Sequence, residues 1–466
     1  MKRNTIKLSD GNIIEINELG KNSSLKTVIL QKSFLDLCEF AAFKYYTFNK
    51  DSEGYKTLIN LLFLKSNKLR TLGSIIEFNK FNEIEKINFD IDLTDFSHFF
   101  TSKGIVFSGK TSPNQQWINK TELVYSILKW AANKLFSIIY FFSGKQAEKN
   151  KSNTVIRSWV DDAEKIYKDE FETSIILIYP FFLNPLRGLR YIRHCFKNYK
   201  HPVLVGIPYS FIDLIRIIFS KGVAFDEALI EFENMAMVRH ASLFQDFNII
   251  YTSDEYMVNS HVLHSILKQQ FKKVINKAHG IGFYSPYVDY DEMHMYNENQ
   301  INHYRNKNKS ISYYILKEYI IDKITYSPDK KPAIVFIDHG NLERFNLFYE
   351  SKLQHETILI LIDICEKLNY PFFTKFSLQT SLAGIETFIK KYRNTLVCNN
   401  IEMLSLENNI LFVNLFSTAY YDFSKYGEVL FIETDIFKPA LMFGNKIECS
   451  TFENLEYNIS KKFLIN

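Results

Sequence analysis

The sequence predicts two α/β domains, each a doubly wound parallel sheet, and three observations carry that prediction. The chain has 466 residues, and single hydrophobic cores stop growing beyond roughly 250–300 residues, so at about 150 residues per domain it divides into two or three. Short apolar runs bounded by Pro or polar turns recur in both halves of the chain, each followed by a helical pattern. Runs without polar alternation are what a parallel strand covered on both faces looks like.

The first hundred residues mix a strand-like run at 26–30 with helical patterns at 34–46 and 55–64, and they hold no motif. Residues 123–144 (LVYSILKWAANKLFSIIYFFSG) form the most apolar long stretch, but Lys129 and Lys134 interrupt it, so it falls short of a transmembrane helix. A core helix capped by the polar loop 145–153 is the plainer reading. A helix lying on a membrane surface, with Trp130 and the two lysines among the headgroups, is the alternative.

From Thr173 onward strand, turn and helix alternate. Residues 174–179 (SIILIY) precede a basic helix at 191–199; 202–207 (PVLVGI) precede a helix at 211–219; 247–251 (FNIIY) precede the loop Thr252-Ser253-Asp254-Glu255 and a helix expected over 257–277. Three such units imply an open parallel sheet. A polar stretch at 297–310 leads into a helix expected over 311–323, and 325–331 (TYSPDKK) reads as the linker. The expected domains are therefore 1–325, an N-terminal Rossmann-like domain with accessory elements, and 326–466, a C-terminal one. In the latter, strands are expected at 332–337, 371–376, 394–398, 410–414 and 429–432, with a helix at 356–368. No internal repeat at a fixed period is present.

Composition excludes several classes. A hydrophobic fraction of 46% with 28 Tyr and 42 Phe rules out disorder over most of the chain. The net charge of +4 is spread among acids, which does not suit a nucleic-acid protein but does suit anionic ligands or an anionic membrane surface. The five cysteines, Cys38, Cys195, Cys365, Cys398 and Cys449, show neither a disulfide framework nor zinc spacing. The first twenty residues lack the apolar core of a signal peptide, so the expectation is a chain kept in the cytoplasm, with peripheral contact at the inner membrane as an option.

In doubly wound sheets, ligands sit beyond the carboxyl ends of the strands, so the residues directly after each apolar run are the informative ones. In the first domain these are Asn184 with Arg187, Tyr209 with Ser210, and Thr252 to Glu255; in the second, Asp338-His339-Gly340, Thr374 to Ser377, and Phe416 to Asp422. Residues 410–433 (ILFVNLFSTAYYDFSKYGEVLFIE) give the strongest signal: a strand runs into Ser417-Thr418, then a helix from about Ala419 carrying Asp422, then Gly427. Hydroxyls at a helix start satisfy free N–H groups, and the positive end of the helix favours a phosphate. A plain N-cap fits the same spacing equally well.

This segment resembles the donor-binding part of bacterial GT-B glycosyltransferases of surface polysaccharide (capsule or lipopolysaccharide) biosynthesis, especially those using CMP-activated acidic sugars such as Kdo or sialic acid. The resemblance implies that Ser417 and Thr418 lie under the nucleotide phosphate, with Gly427 and Glu428 near the following turn. It implies Lys375, in FFTKFSLQTS, near the phosphate, although Phe376-Ser377 replaces the His-Pro pair often seen there. Ser377 joins the donor-side residues, and His339 can reach the donor, a turn role being equally open.

A second segment, 277–291 (KAHGIGFYSPYVDYD), is turn-rich, and its glycines let the backbone approach a ligand closely. Its His279, Gly280, Gly282, Tyr284, Pro286, Tyr287 and Asp289 resemble a pattern of β-Kdo transferases, which implies that His279 orients or protonates. A structural histidine is the plainer alternative. Asp254 and Glu255 follow a buried strand, where a carboxylate can deprotonate an acceptor hydroxyl or attack the anomeric carbon. Asp254, nearest the strand end, is the preferred one, and an N-cap with an acidic first turn is the alternative. Glu231, Glu233, Arg239 and His240 share one helix and read as a solvated or interdomain face.

No DxD lies between a strand and a loop in the manner of metal-dependent enzymes and no GxGxxG follows a strand, and Asp161-Asp162 is not by itself a metal motif. The resemblance therefore implies the GT-B architecture, two Rossmann-like domains facing across a cleft, and metal-independent transfer without a cofactor. The donor would be a nucleotide sugar, CMP-linked by preference, and the acceptor a glycan or lipid-linked oligosaccharide. The rivals are a UDP- or GDP-hexose transferase of the same fold and a non-catalytic scaffold of polysaccharide assembly.

Overall fold

A computed structural model describes residues 5–15, 32–78, 84–89, 96–97, 101, 105–109, 116–143, 152–158, 163–179, 185–278, 280, 285–316, 324–338, 348–376, 386, 388–390, 392, 395–415, 417, 419–434, 438–444 and 446–464. The chain divides into two compact units: one made of 1–31, 71–110 and 316–466, the other of 32–70 and 111–315. Each holds a large parallel sheet, as the sequence predicts.

The first unit begins with a small mixed sheet of β1 (Thr5–Leu8), β2 (Ile13–Glu15), β3 (Ile84–Phe89) and β4 (Val106–Gly109), in the order β2-β1-β3-β4. The second unit contains β5 (Thr154–Ser158), β6 (Ile175–Ile178), β7 (Pro202–Leu204), β8 (Ile249–Thr252), β9 (Lys273–Lys277), β10 (Glu292–Met295) and β11 (Ser312–Ile315). They form a seven-stranded sheet in the order β11-β10-β9-β8-β5-β6-β7, parallel throughout. The first unit then resumes with β12 (Lys331–Ile337), β13 (Phe372–Lys375), β14 (Leu396–Val397), β15 (Asn408–Asn414), β16 (Gly427–Ile432) and β17 (Glu448–Ser450). These six are also parallel, in the order β14-β13-β12-β15-β16-β17.

Counted from the first strand of each, both sheets run 3-2-1-4-5-6, and the second unit adds a seventh strand at its edge. That is the doubly wound order, and it reverses between strands one and four. In the first unit the strands at the reversal are continuously apolar. Ala333 to Ile337 and Ile410 to Val413 are all buried in the first unit. In the second, Ile156, Ile176 and Ile178 pack with Tyr167, Phe171 and Tyr199. Gly427 belongs to this packing: a Cβ there would lie 2.2 Å from the Ile410 carbonyl oxygen, so glycine lets β15 and β16 approach.

The helical patterns at 34–46 and 55–64 are the helices Lys32–Tyr45 and Glu53–Lys65, and they belong to the second unit. Asn60 fastens them there, its Nδ2 donating to the carbonyls of Val258 at 3.0 Å and Tyr287 at 2.9 Å while its Oδ1 accepts from Tyr287 N at 3.0 Å. The strand-like run at 26–30 lies outside the described residues.

Four sequence expectations are corrected. The helix expected over 257–277 ends at Gln269, and residues 273–277 are β9. The chain leaves that helix through Phe271 at φ 60, with Lys272 N donating to Leu267 O at 3.0 Å. This is a left-handed C-cap without the glycine that would announce it. The helix expected over 311–323 is instead β11, with 317–323 outside the described residues. Residues 154–158, read as no element, are the central strand β5.

The fourth correction concerns helix Val223–His240. Glu233 and His240 are buried and not on a solvated face. Glu233 accepts from Lys129 at 2.5 Å, Asn259 Nδ2 at 2.9 Å and Tyr209 OH at 3.4 Å. Lys129 on helix Thr121–Ser143 is thus turned inward, not toward headgroups. Among the described residues no helix is long and apolar enough to cross a membrane.

Phe271 offers a direct check of the C-cap. It is 97% exposed, so its side chain packs on little, while its backbone carries the strain of a left-handed non-glycine residue. Phe271→Gly is expected to raise the free energy of unfolding by about 0.5–1 kcal/mol in urea titration. A loss of stability would show that the turn is held by the phenyl ring.

Candidate functional site

The reversal of strand order opens a crevice at the carboxyl ends of strands one and four, and in each unit polar residues collect there. In the second unit the strands are β5 and β8, with Arg157 directly across from Thr252. Arg157, Asp254, His264 and Tyr290 are all buried. The Arg157 guanidinium donates to Asp254 Oδ2 through Nη1, and His264 Nε2 lies 3.3 Å from both groups. Tyr290 OH donates to Asp254 Oδ1 at 3.0 Å, so both carboxylate oxygens are engaged.

The chain of contacts continues on the other side. Arg157 Nε donates to Tyr179 OH at 3.3 Å, and Tyr179 OH is 2.7 Å from His240 Nε2. Burial, helped by the charge of Arg157, depresses the pKa of His240 to about 3. Its ring is therefore neutral and Nε2 can accept the tyrosine proton. Burial alone would raise the pKa of Asp254, but His264 and Arg157 beside it hold the carboxyl below the usual range. The result is an ionised carboxylate enclosed by its own partners.

The flanking residues are equally committed. Ser253 Oγ donates to the carbonyl of Lys277 at 2.7 Å and bonds Tyr167 OH, while Lys277 pairs with Glu170 at 3.0 Å. Glu255 is buried; its carbonyl accepts from Ser285 N at 3.2 Å. The Asn276 amide, oriented to satisfy both its ends, donates to Glu255 Oε2 at 3.2 Å and to the Thr252 carbonyl at 3.1 Å. His279 lies outside the described residues. The element that precedes it in the chain is β9, ending at Lys277, and not a long helix.

In the first unit the reversal lies between β12 and β15, where Asp338 directly follows β12 and Asn414 ends β15. Asn414 closes the turn after it: Oδ1 accepts from Ser417 N at 3.1 Å and Nδ2 donates to Ser417 O at 2.9 Å. Ser417 Oγ accepts from Ala419 N at 3.3 Å, which leaves its hydroxyl proton to give. The helix that follows, Tyr420–Phe423, has four residues and is capped by Ala419. The sequence expectation of a helix dipole beneath the phosphate is corrected accordingly, since one turn sums few peptide dipoles.

Lys375 ends β13, and its Nζ reaches the carbonyl of Asn399 at 3.5 Å, on the side of β14 and away from β15. Thr418, Ser377 and His339 lie outside the described residues. The strand-end rule thus puts Asp338 and Ser417 after neighbouring strands, β12 and β15, and Lys375 on β13, one strand further. It found Asp254 and Glu255 but missed Arg157, Tyr179, His264, Tyr290 and Asn414, which hold the two turns.

No protein-family model matches the chain, and no curated protein is significantly similar to it. Among solved structures it is similar to MurG of Acinetobacter baumannii, at 10% identity and TM-score 0.38, over 66% of this chain and 90% of that one. It is also similar to MnaA of S. aureus in complex with UDP, at 8% identity and TM-score 0.37, over 67% and 87%. A third is the wall teichoic acid polymerase TagF, at 10% identity and TM-score 0.32, over 74% and 90%. The strand orders, and not these distant likenesses, carry the fold.

Breaking a buried ion pair by neutralising one partner strands the other, at a cost of about 3–5 kcal/mol. Asp254→Asn is expected to lose that much unfolding free energy at pH 7. Because the carboxyl is depressed in the folded state, its contribution is present above the unfolded pKa of about 3.9 and is lost as pH falls through the lower folded value. The gap between wild type and variant, measured by urea titration, should therefore narrow below about pH 4. A variant within about 0.5 kcal/mol of wild type at pH 7 would show that the pair anchors nothing.

Proposed function

We propose that the chain is a nucleotide-sugar-dependent glycosyltransferase of the GT-B architecture, moving a sugar to a glycan or lipid-linked acceptor in polysaccharide assembly. The observation that carries this reading is the presence, in one chain, of two parallel sheets with the same 3-2-1-4-5-6 order. A sheet of that order offers a nucleotide the crevice at its strand reversal. Fold alone does not fix chemistry, so the polar turn at the second reversal adds the needed support.

On this reading the donor phosphate lies at the β12–β15 end, where Ser417 gives its hydroxyl proton and Thr418 stands next to it. Lys375, on the neighbouring strand, offsets leaving-group charge, and Ser377 and His339 are assigned to the donor by the sequence resemblance. On the acceptor side, Asp254 holds the turn as the ion-pair partner of Arg157, and the acid–base step is assigned to Glu255, whose Oε2 meets a neutral amide, or to His279. The preferred donor is a CMP-linked acidic sugar, which rests on the resemblance of residues 410–433; contact with an anionic membrane surface belongs to the same reading.

A panel of CMP-, UDP- and GDP-sugars tests it by nucleotide release. Release of CMP alone supports the preferred donor; release of UDP or GDP moves the assignment to a hexose. Ser417→Ala, which removes one hydrogen bond to a charged group, should lower kcat/KM by about ten- to a hundredfold. Glu255→Gln and His279→Ala, run in parallel, identify the acid–base group by the larger loss of kcat. No turnover with any donor would favour a non-catalytic scaffold, and full activity of the Ser417→Ala variant would remove that serine from the site.

A further inference from the structure

We propose that a groove in the second unit, between residues 47–54 and helices Phe211–Phe219 and Val223–His240, binds a neutral sugar unit of a glycan chain. The groove has a volume of 660 Å³, which lies in the range of small-molecule sites. Its floor is a stripe of helix Val223–His240, where Ala224, Glu227, Ala228, Glu231 and Asn234 are spaced by three and four residues and so share one face. The two alanines leave room between the polar side chains. One wall is the ring of Phe48, and the other is the end of helix Phe211–Phe219 with Arg216 and Ser220.

The Phe48 wall is fixed in place. A Cβ on Gly54 would meet its ring at 2.8 Å, so glycine lets the ring approach the first turn of helix Glu53–Lys65. Tyr46 OH donates to Asp226 Oδ2 at 2.6 Å and ties the segment that carries Phe48 to the floor helix. Asn49 closes the turn beyond, its carbonyl accepting from Ser52 N at 2.9 Å and its Oδ1 from Asp51 N at 3.2 Å. The polar groups of the groove are of both kinds. Thr57 donates to Asn234 Oδ1 at 2.7 Å, which leaves Nδ2 as a donor for the groove. Glu227 is half-buried and has no ion-pair partner among the described residues, so its carboxylate is open to a donor. Arg216 pairs with Glu231 at 2.7 Å, so the cation of the lining is already matched. A phosphate or an acidic sugar would meet two carboxylates here, and an ammonium group would meet the N–H groups of Asn234 and Arg216. A hydroxyl both donates and accepts, so a sugar can serve Glu227 and Asn234 with neighbouring groups while the C–H face of its ring packs on the negative face of Phe48. None of these residues lies in the turns after β5 or β8, where the acceptor hydroxyl is assigned, and the groove stands whether or not the chain transfers sugar.

Titration calorimetry of the full chain tests it, with maltotetraose and chitotetraose as neutral probes and tetragalacturonic acid as the acidic one. At least one neutral probe is expected to bind, and the acidic probe to bind more weakly than it. Phe48→Ala removes the ring and Glu227→Gln the charged acceptor, and each should weaken the neutral probe by about tenfold. Because Glu227 is half-buried and unpaired, Glu227→Gln is expected to keep the wild-type melting temperature, and it decides the matter if Phe48→Ala does not fold. Absence of binding by both neutral probes, or tighter binding of the acidic one, would overturn the proposal. So would binding that Glu227→Gln leaves unchanged, because the sugar would then sit elsewhere, the crevice after β8 included. Nucleotide release from a donor sugar by Glu227→Gln is expected at the wild-type rate, so the groove and the transfer reading can fail separately.

Discussion

The reversal of strand order in a parallel sheet is the constraint on which the rest of this structure depends. Crossovers on either side of the reversal leave to opposite faces, so the carboxyl ends of the first and fourth strands part and leave a crevice. The chain meets this demand twice and answers it differently. At β5 and β8 the crevice is filled by an arginine and an aspartate that satisfy each other, with two tyrosines and two histidines closing the network. At β12 and β15 it is bounded by Asp338 and by a turn that Asn414 ties to Ser417.

The difference has a chemical consequence. A carboxylate that is fully buried and ion-paired to Arg157 is closed off from an incoming hydroxyl, so it fixes geometry. A serine whose oxygen accepts from its own turn still has a proton to donate, and a donor without charge suits a phosphate whose negative charge is balanced elsewhere. The first reversal therefore supplies rigidity beside Glu255, and the second supplies the hydrogen-bonding surface. Function on this account follows from which switch point the chain fills by itself.

Much of the doubly wound design is legible in the sequence because the strands at the reversal of the first unit are continuous apolar runs. Residues 332–337 and 410–414 could hardly be anything but covered strands. What escaped detection escaped for physical reasons. TVIRS carries an arginine whose partner, Asp254, lies about a hundred residues away, so local pattern could not mark it as buried. β9 was hidden because Phe271 takes the left-handed turn that normally advertises itself as glycine. β10 and β11 are short and half polar, and β11 forms the sheet edge, where burial asks little of the side chains. In the site, the strand-end rule found the residues that sit in the turns but not those that brace them, because bracing residues come from neighbouring strands and helices.

The central claim is that a nucleotide occupies the reversal between β12 and β15. Amide hydrogen exchange of the full chain, followed with and without saturating CMP, UDP or GDP, tests it most directly. Slower exchange in peptides carrying Asp338 and residues 414–423 with one of the three is the predicted result. Unchanged exchange there with all three, or protection confined to the ends of β5 and β8, would contradict it.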